Sequence, residues 1–296
     1  MRDYEEGIMN FDTGSALLDL CQKQNITISE AMKERERTLF EETDMDAEML
    51  RRLKIMQEAA EQSLTHSPHS MGGLIGGEAA KLEAHRLSGK CICGNLTGKA
   101  LAYSMGILEV NASMGLIVAA PTAGSSGVIP GVLLAIKEEY EMSDEQIVDA
   151  LFHAGAIGYL ISQNATVSGA EGGCQAEVGT ASAMAAGAVT ELFGGSPEAC
   201  LAAAATAIIN VLGMVCDPIA GLVEAPCQKR NGLGVANALI CAEMALAGIP
   251  SIIPFDEAVQ TMYQVGHNLP AELRETALGG VAASKTACEL CGECDL

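Results

Sequence analysis

A chain of 296 residues can bury one large core or two smaller ones. Its formal charge of −21 sets it against nucleic acid and anionic membrane surfaces, and fits a soluble cytoplasmic protein. Apolar residues make up 49%, yet aromatics only 3% and Trp is absent, so Ala, Gly and Met must carry an interior of closely packed helices.

The first residues, Met1-Arg2-Asp3-Tyr4-Glu5-Glu6, are acidic and lack the apolar run of a signal peptide. Eleven cysteines, an odd number, then read as reduced thiols or metal ligands rather than a disulfide framework. Residues 13–64 read as a charged, helical N-terminal region that docks on the core or on a partner. Thr13 or Ser15 is placed to cap a first helix and Ser29 a second. Met49, Leu53, Met56 and Ala60 recur at helical spacing within 45–64.

Residues 65–78, Thr-His-Ser-Pro-His-Ser-Met-Gly-Gly-Leu-Ile-Gly-Gly-Glu, form a polar glycine-rich loop entering a helix. Its backbone amides suit a carboxylate. No Lys-Ser/Thr follows the glycines and no strand precedes them, so neither nucleotide fingerprint applies. A plain interdomain loop is the structural alternative, against which His66, His69 and Ser70 stand out. Cys91 and Cys93, one residue apart, are a poor chelating pair, and a helix over 95–110 follows.

Residues 111–131 form a second Gly/Ser-rich element, with Pro121 and Pro130 bracketing Thr122, Ser125 and Ser126. Hydroxyls concentrated between apolar runs suggest a polar pocket, the alternative being a tight turn between buried helices. Ser143-Asp144-Glu145-Gln146 starts a helix over 143–163, on which His153 reads as structural. Ala-rich helices are expected at 176–192 and 197–214, then helices at 232–248 and 254–266. The uncharged runs 110–136 and 199–216 raise a membrane reading. The first is broken by prolines and hydroxyls, the second is barely long enough, and no flanking Lys/Arg asymmetry supports either, so buried helices of a soluble enzyme are preferred. Strand-like alternation is nowhere sustained, and the class is all-α.

The chemistry concentrates in 168–231. Cys174 follows a Gly pair, Cys216 precedes Asp-Pro and Cys227 follows a Pro, whereas Cys200 and Cys241 sit inside apolar helical runs. Cysteines on turn-shaped backbone are presented to something. Three thiolates without a fourth suggest a metal or cluster with one open coordination position. The tail, Cys288-Glu-Leu-Cys291-Gly-Glu-Cys294, has ferredoxin-like spacing but lacks the fourth Cys. It reads as a mobile end, an opportunistic zinc site, or a cap for the open position.

These motifs resemble the iron–sulfur-dependent L-serine dehydratases (L-serine ammonia-lyases). They are Ser-Gly-Ala-Glu-x-Gly-Cys-Gln-x-Glu-Val-Gly (168–179), Cys-Asp-Pro-x-x-Gly-Leu-Val (216–223) and Pro-Cys-x-x-Arg-Asn (226–231). Val-Ala-Ala-Pro-Thr-Ala-Gly-Ser-Ser-Gly-Val-Ile-Pro (118–130), Gly-Gly-Leu-Ile-Gly-Gly-Glu (72–78) and Arg-Glu-Thr-Ala-Leu-Gly-Gly (274–280) join them. The resemblance is to the α subunit and spans essentially the whole chain. It departs at Gly72-Gly73-Leu74, where many members have Ser-Gly-Leu, and at Leu116, where members often have a basic residue.

The resemblance implies a [4Fe–4S] cluster on Cys174, Cys216 and Cys227, L-serine as substrate, a separate β subunit, and no pyridoxal phosphate. It implies a compact helical catalytic domain at 65–286 whose Gly/Ser-rich loops converge on the cluster, with 1–64 packing on it and a Cys-rich tail at 287–296. The expected chemistry is elimination of water from serine, giving aminoacrylate and then pyruvate and ammonia. Candidates for the carboxylate and amine are Ser70, Gly72, Gly73, Thr122, Ser125, Ser126 and Asn231. Lys229 and Arg230 would orient substrate or steady developing charge, and His66, His69 or Glu171 would be the base. Two other readings are an iron–sulfur lyase acting on L-cysteine or another β-substituted amino acid, and a non-catalytic redox sensor.

Overall fold

A computed structural model describes residues 10–66 and 68–291. Cys294 lies outside the described residues. The N-terminal helices start where short polar side chains take up the first free N–H groups. Thr13 accepts from Ala16 N at the head of α1 (Gly14–Gln24), and Asn25 closes that helix in the left-handed region at φ 55°. α2 (Ile28–Leu39) begins at Thr27 rather than Ser29. The reason is a capping box in which Thr27 accepts from Glu30 N while the Glu30 carboxylate accepts from Thr27 N. Asp44 caps α3 (Met45–Thr65).

α4 (Glu78–Leu87) and α5 (Gly94–Ala112) follow the first glycine loop, and α6 (Val128–Glu139) follows the second. Ser143 and Gln146 form a second capping box at α7 (Asp144–Asn164). The short α8 (Gly169–Gly172) leads through a wide π turn over Gln175–Gly179 into α9 (Thr180–Leu192). α10 (Pro197–Ile209) carries Pro197 in its first turn under a Ser196 cap and ends five residues before the sequence reading, which ran to 214. α11 (Cys227–Leu246) begins five residues earlier than the expected 232, at the cysteine itself. α12 (Phe255–Asn268) and the short α13 (Lys285–Cys291) complete the chain. The class is all-α as expected: among the described residues the sole extended pairing is an isolated bridge between Cys216 and Arg274. None of the described helices is long and apolar enough to cross a membrane.

The core is centred on α9, buried from Thr180 to Thr190 and packed among α6, α7, α10 and α11. With so few aromatics, close approach replaces bulk. Gly127 and Gly131, one turn apart, let α6 lie on α5. A Cβ on Gly127 would fall 2.2 Å from Ser104 O, and one on Gly131 2.9 Å from Ala100 O. Leu133, Ile136, Ile157, Leu160 and Ile208 fill the same core, each fully buried side chain contributing roughly 1.5–3 kcal/mol. Leu17, Ile28 and Leu53 bring the N-terminal helices into it.

Candidate active site

Of the three cysteines singled out in the sequence, Cys174 and Cys216 are brought together, and Cys227 lies near enough to Cys174 to feel its charge. α8 ends at Gly173, whose φ of 77° lies in the left-handed region. A Cβ there would stand 2.6 Å from Met214 O, so the glycine lets the 174 turn press onto the 213–216 segment. Gln175 fixes that contact: its N–H donates to Met214 O and its side-chain oxygen accepts from Gly213 N. Cys216 is held from its other side, its N–H donating to Leu273 O (2.9 Å) and its carbonyl accepting from Glu275 N (2.7 Å). Cys227 is the first residue of α11. All three are buried.

Cys174 Sγ, Cys216 Sγ and a carboxylate oxygen of Glu177 lie within 4.8 Å of one another. The Cys216 thiol together with Arg230 holds Cys174 below the usual thiol range, against the effect of burial. The same contact and burial push Cys216 up. Burial first, then the charge of Cys174, pushes Cys227 up to about 12. The third thiol thus lies within the electrostatic reach of Cys174 and Glu177.

Glu177 is a candidate that the motif contains but the sequence alone does not single out. It accepts from the Thr122 hydroxyl (2.8 Å) and lies 4.0 Å from Cys216 Sγ. Burial raises its carboxyl above the usual range, and no cation among the described residues pairs with it. Room for it comes from Gly169, where a Cβ would fall 2.5 Å from Glu177 Oε2 and 2.9 Å from Cys216 Sγ.

Arg230 is turned toward the thiols. Its Nη1 donates to Asp217 Oδ1 (2.6 Å) and Val215 O (2.9 Å) and stands 3.6 Å from Cys174 Sγ. Asp217 in turn accepts from Val281 N. Asn231 braces the second glycine loop, donating to Gly124 O and accepting from Gly127 N. In that loop Thr122 and Ser125 hydroxyls are 3.1 Å apart, and Ser126 donates to Ala123 O.

The first glycine loop holds a carboxylate, and it is the chain's own. Buried Glu224 accepts from Ser70 Oγ (2.7 Å), Gly72 N (2.6 Å) and Leu74 N (2.9 Å). Gly73 N donates to Ser70 O. Glu224 O also accepts from Gln228 N, so the loop is stapled to the turn that delivers Cys227. His66 is exposed at the end of α3 with Nδ1 on Thr65 Oγ1, and His69 is exposed in the loop. Glu171 is exposed and accepts from the Thr166 hydroxyl. Lys229 is exposed on the first turn of α11. In the tail, Cys288 is buried in α13 and Cys291 half-buried.

A family model described as serine dehydratase alpha chain matches residues 23–282. A probable L-serine dehydratase alpha chain of Bacillus subtilis is 48% identical over 276 residues, covering 93% of this chain and 92% of that one. An L-serine dehydratase alpha chain of Peptoniphilus asaccharolyticus is 46% identical over 279 residues, covering 93% and 95%. An L-serine dehydratase of Streptomyces coelicolor is 37% identical over 284 residues, covering 94% of this chain but 62% of that one.

Proposed function

The chain belongs to the serine dehydratase alpha-chain family, and we propose that its three-thiol pocket is where L-serine is dehydrated. The activity is conversion of L-serine to pyruvate and ammonia. The observation that carries the assignment to this pocket is the meeting of buried Cys174 and Cys216 with Glu177, a carboxylate without a cation among the described residues, and with buried Cys227 close enough to feel the charge of Cys174 and Glu177.

The donor set suits an iron–sulfur cluster. Two soft sulfur donors meet with a third near them, Gly169 leaves room beside Cys216, and one guanidinium faces the sulfur of Cys174. Cys174, Cys216 and Cys227 would hold a [4Fe–4S] cluster, which when bound supplies a Lewis acid for the departing hydroxyl. Arg230, aimed by Asp217, steadies the Cys174 thiolate.

Glu177 takes the proton from Cα. This reading is preferred to His66, His69 and Glu171 because those three are exposed while Glu177 faces the thiols. Thr122, with Ser125 beside it, fixes the orientation of that carboxylate. α11 begins at Cys227 without a side-chain cap, so the positive end of its dipole and Lys229 attract the substrate carboxylate. The amides of Gly72 and Leu74 with Ser70 serve Glu224 and thereby set the wall of the pocket. Loss of the Cα proton and of hydroxide leaves aminoacrylate, which tautomerises and hydrolyses.

Two of the relatives are named as alpha chains, and this chain spans 62% of the undivided Streptomyces relative. We therefore assign it a separate companion chain carrying the remainder, in a soluble cytoplasmic complex.

The test is anaerobic. The chain is reconstituted with iron and sulfide, with its companion present, and the EPR spectrum of the reduced cluster is followed as L-serine is added. A four-iron signal that shifts with L-serine and is lost in Cys216→Ala, with pyruvate formed, is the expected result. A cluster indifferent to L-serine, with no pyruvate, sinks the assignment. Pyruvate with sulfide from L-cysteine in preference to L-serine would move the substrate.

A further inference from the structure

A 2-amino acid brings a cation as well as a carboxylate to its site, and the cation needs an anionic partner. The pocket is built from segments 168–180, 213–231 and 273–281, which carry five carboxylates: Glu171, Glu177, Asp217, Glu224 and Glu275. Four are engaged. Glu171 accepts from Thr166, Glu177 from Thr122, Asp217 from Arg230 and Val281, and Glu224 from three donors of the glycine loop. The Glu275 side chain is exposed, with no hydrogen bond or ion pair among the described residues.

The backbone of Glu275 is tied to the pocket. Its N–H donates to Cys216 O at 2.7 Å, within the bridge that pairs Cys216 with Arg274. Its φ is 62° and that of Ala277 is 57°, left-handed values that disfavour both side chains. Asp217 holds the far end of this turn through Val281 N, and Gly280 is the residue whose Cβ would collide with Asp217 at 2.2 Å. The backbone bond to Cys216 holds Glu275 beside that cysteine, and the charge of its carboxylate adds to the upward push on Cys216 and Glu177.

We propose that Glu275 receives the α-ammonium group of the substrate, making it the residue that selects amino acids over the corresponding hydroxy acids. An ammonium bound there also lies near Glu177, where the proton is taken up. The inference rests on the assignment of L-serine dehydration to this pocket.

The experiment uses the reconstituted complex with its companion chain. Two inhibitors separate the charges: L-alanine keeps ammonium and carboxylate but has no leaving group, and 3-hydroxypropanoate is serine without its amino group. Glu275→Gln is expected to raise KM for L-serine and Ki for L-alanine by about 10- to 100-fold, the range of a lost charge-assisted hydrogen bond. kcat should stay within about threefold, and Ki for 3-hydroxypropanoate and the EPR spectrum should not move. Glu275→Asp should recover part of the loss. Unchanged constants, equal weakening of both inhibitors, or loss of iron would each overturn the proposal; iron loss would make Glu275 a support for Cys216 instead. A wild-type complex that does not consume L-serine would instead remove the parent assignment.

Discussion

Among the described residues two buried clusters each bring a glutamate and a cysteine together, and they have different fates. In one, Cys174, Cys216 and Glu177 bring a ligand atom each within 4.8 Å of one another, and in the other His153, Glu191 and Cys200 do the same. The second lies inside the helical core. Glu191 accepts from Ile28 N and Ser29 N at the head of α2, and its Oε2 lies 2.9 Å from His153 Nδ1. Its residues all sit within α7, α9 and α10, where backbone bonds are complete. In the first cluster the carboxylate has a single hydroxyl donor and no cation, and the thiols ride on turns walled with glycine. Buried donors alone do not make a site; whether turns or regular helices carry them matters as well.

The sharpest way to break this contrast is to remove thiols one at a time. Alanine at Cys174, Cys216 or Cys227 should abolish stoichiometric iron binding and serine turnover. Cys200→Ala should keep both, with a modest loss of thermal stability. Iron content by colorimetric assay and pyruvate release read both out. Iron lost from Cys200→Ala at the same level would erase the distinction.

Next in size is the exchange of carboxylates for amides. Glu177→Gln should lower kcat by roughly 10²–10⁴-fold, the contribution of a positioned acid–base group, with iron retained. Glu191→Gln should leave kcat alone and cost about 3–5 kcal/mol, since it strips a buried partner from His153. Their pH dependences run in opposite senses. Burial alone would raise Glu191, but His153, Ser29 and Ile28 N outweigh it and hold the carboxyl below its ordinary 4.5. Its share of stability is therefore present above 4.5 and is lost as pH falls through the folded value. Glu177 is raised, so stability declines as pH climbs from the ordinary carboxyl range to its folded value. In the iron-free chain Glu177→Gln should flatten that decline and Glu191→Gln the acid one, as followed by urea unfolding between pH 4 and 8.

Much of the frame could be read before any coordinates. Ser143 and Thr13 announced their helices, and the Gly, Asp-Pro and Pro neighbours of Cys174, Cys216 and Cys227 marked these thiols off from Cys200 and Cys241. Other features depended on contacts between distant segments. Glu224 meets Ser70 across 154 residues, and Glu177 meets Thr122 across 55. Nothing local in either glutamate told that its carboxylate would turn inward. Helix ends failed where tertiary bonds overrule propensity. α10 stops at Ile209 although the apolar run continues, because Gly213 and Met214 are drawn to Gln175. Ser29 lost the cap to Thr27 because its N–H serves Glu191.

The finest test of the contrast removes one hydroxyl from each cluster. Thr122→Val takes away the hydroxyl that Glu177 accepts from, and that contact is what opposes the upward push of burial on the carboxyl. Losing it should push the Glu177 carboxyl further up. Turnover should then fall by about 10-fold, with the rising limb of the kcat–pH profile displaced to higher pH and stability nearly unchanged. Ser29→Ala removes a hydroxyl beside Glu191 that helps hold that carboxyl down, while the Ile28 and Ser29 N–H bonds stay. It should cost about 1 kcal/mol of unfolding free energy and leave the kcat–pH profile where it was. A profile displaced by Ser29→Ala as far as by Thr122→Val would mean that the two carboxylates share one network, and the division between a reactive pocket and a helical interior would have to be given up.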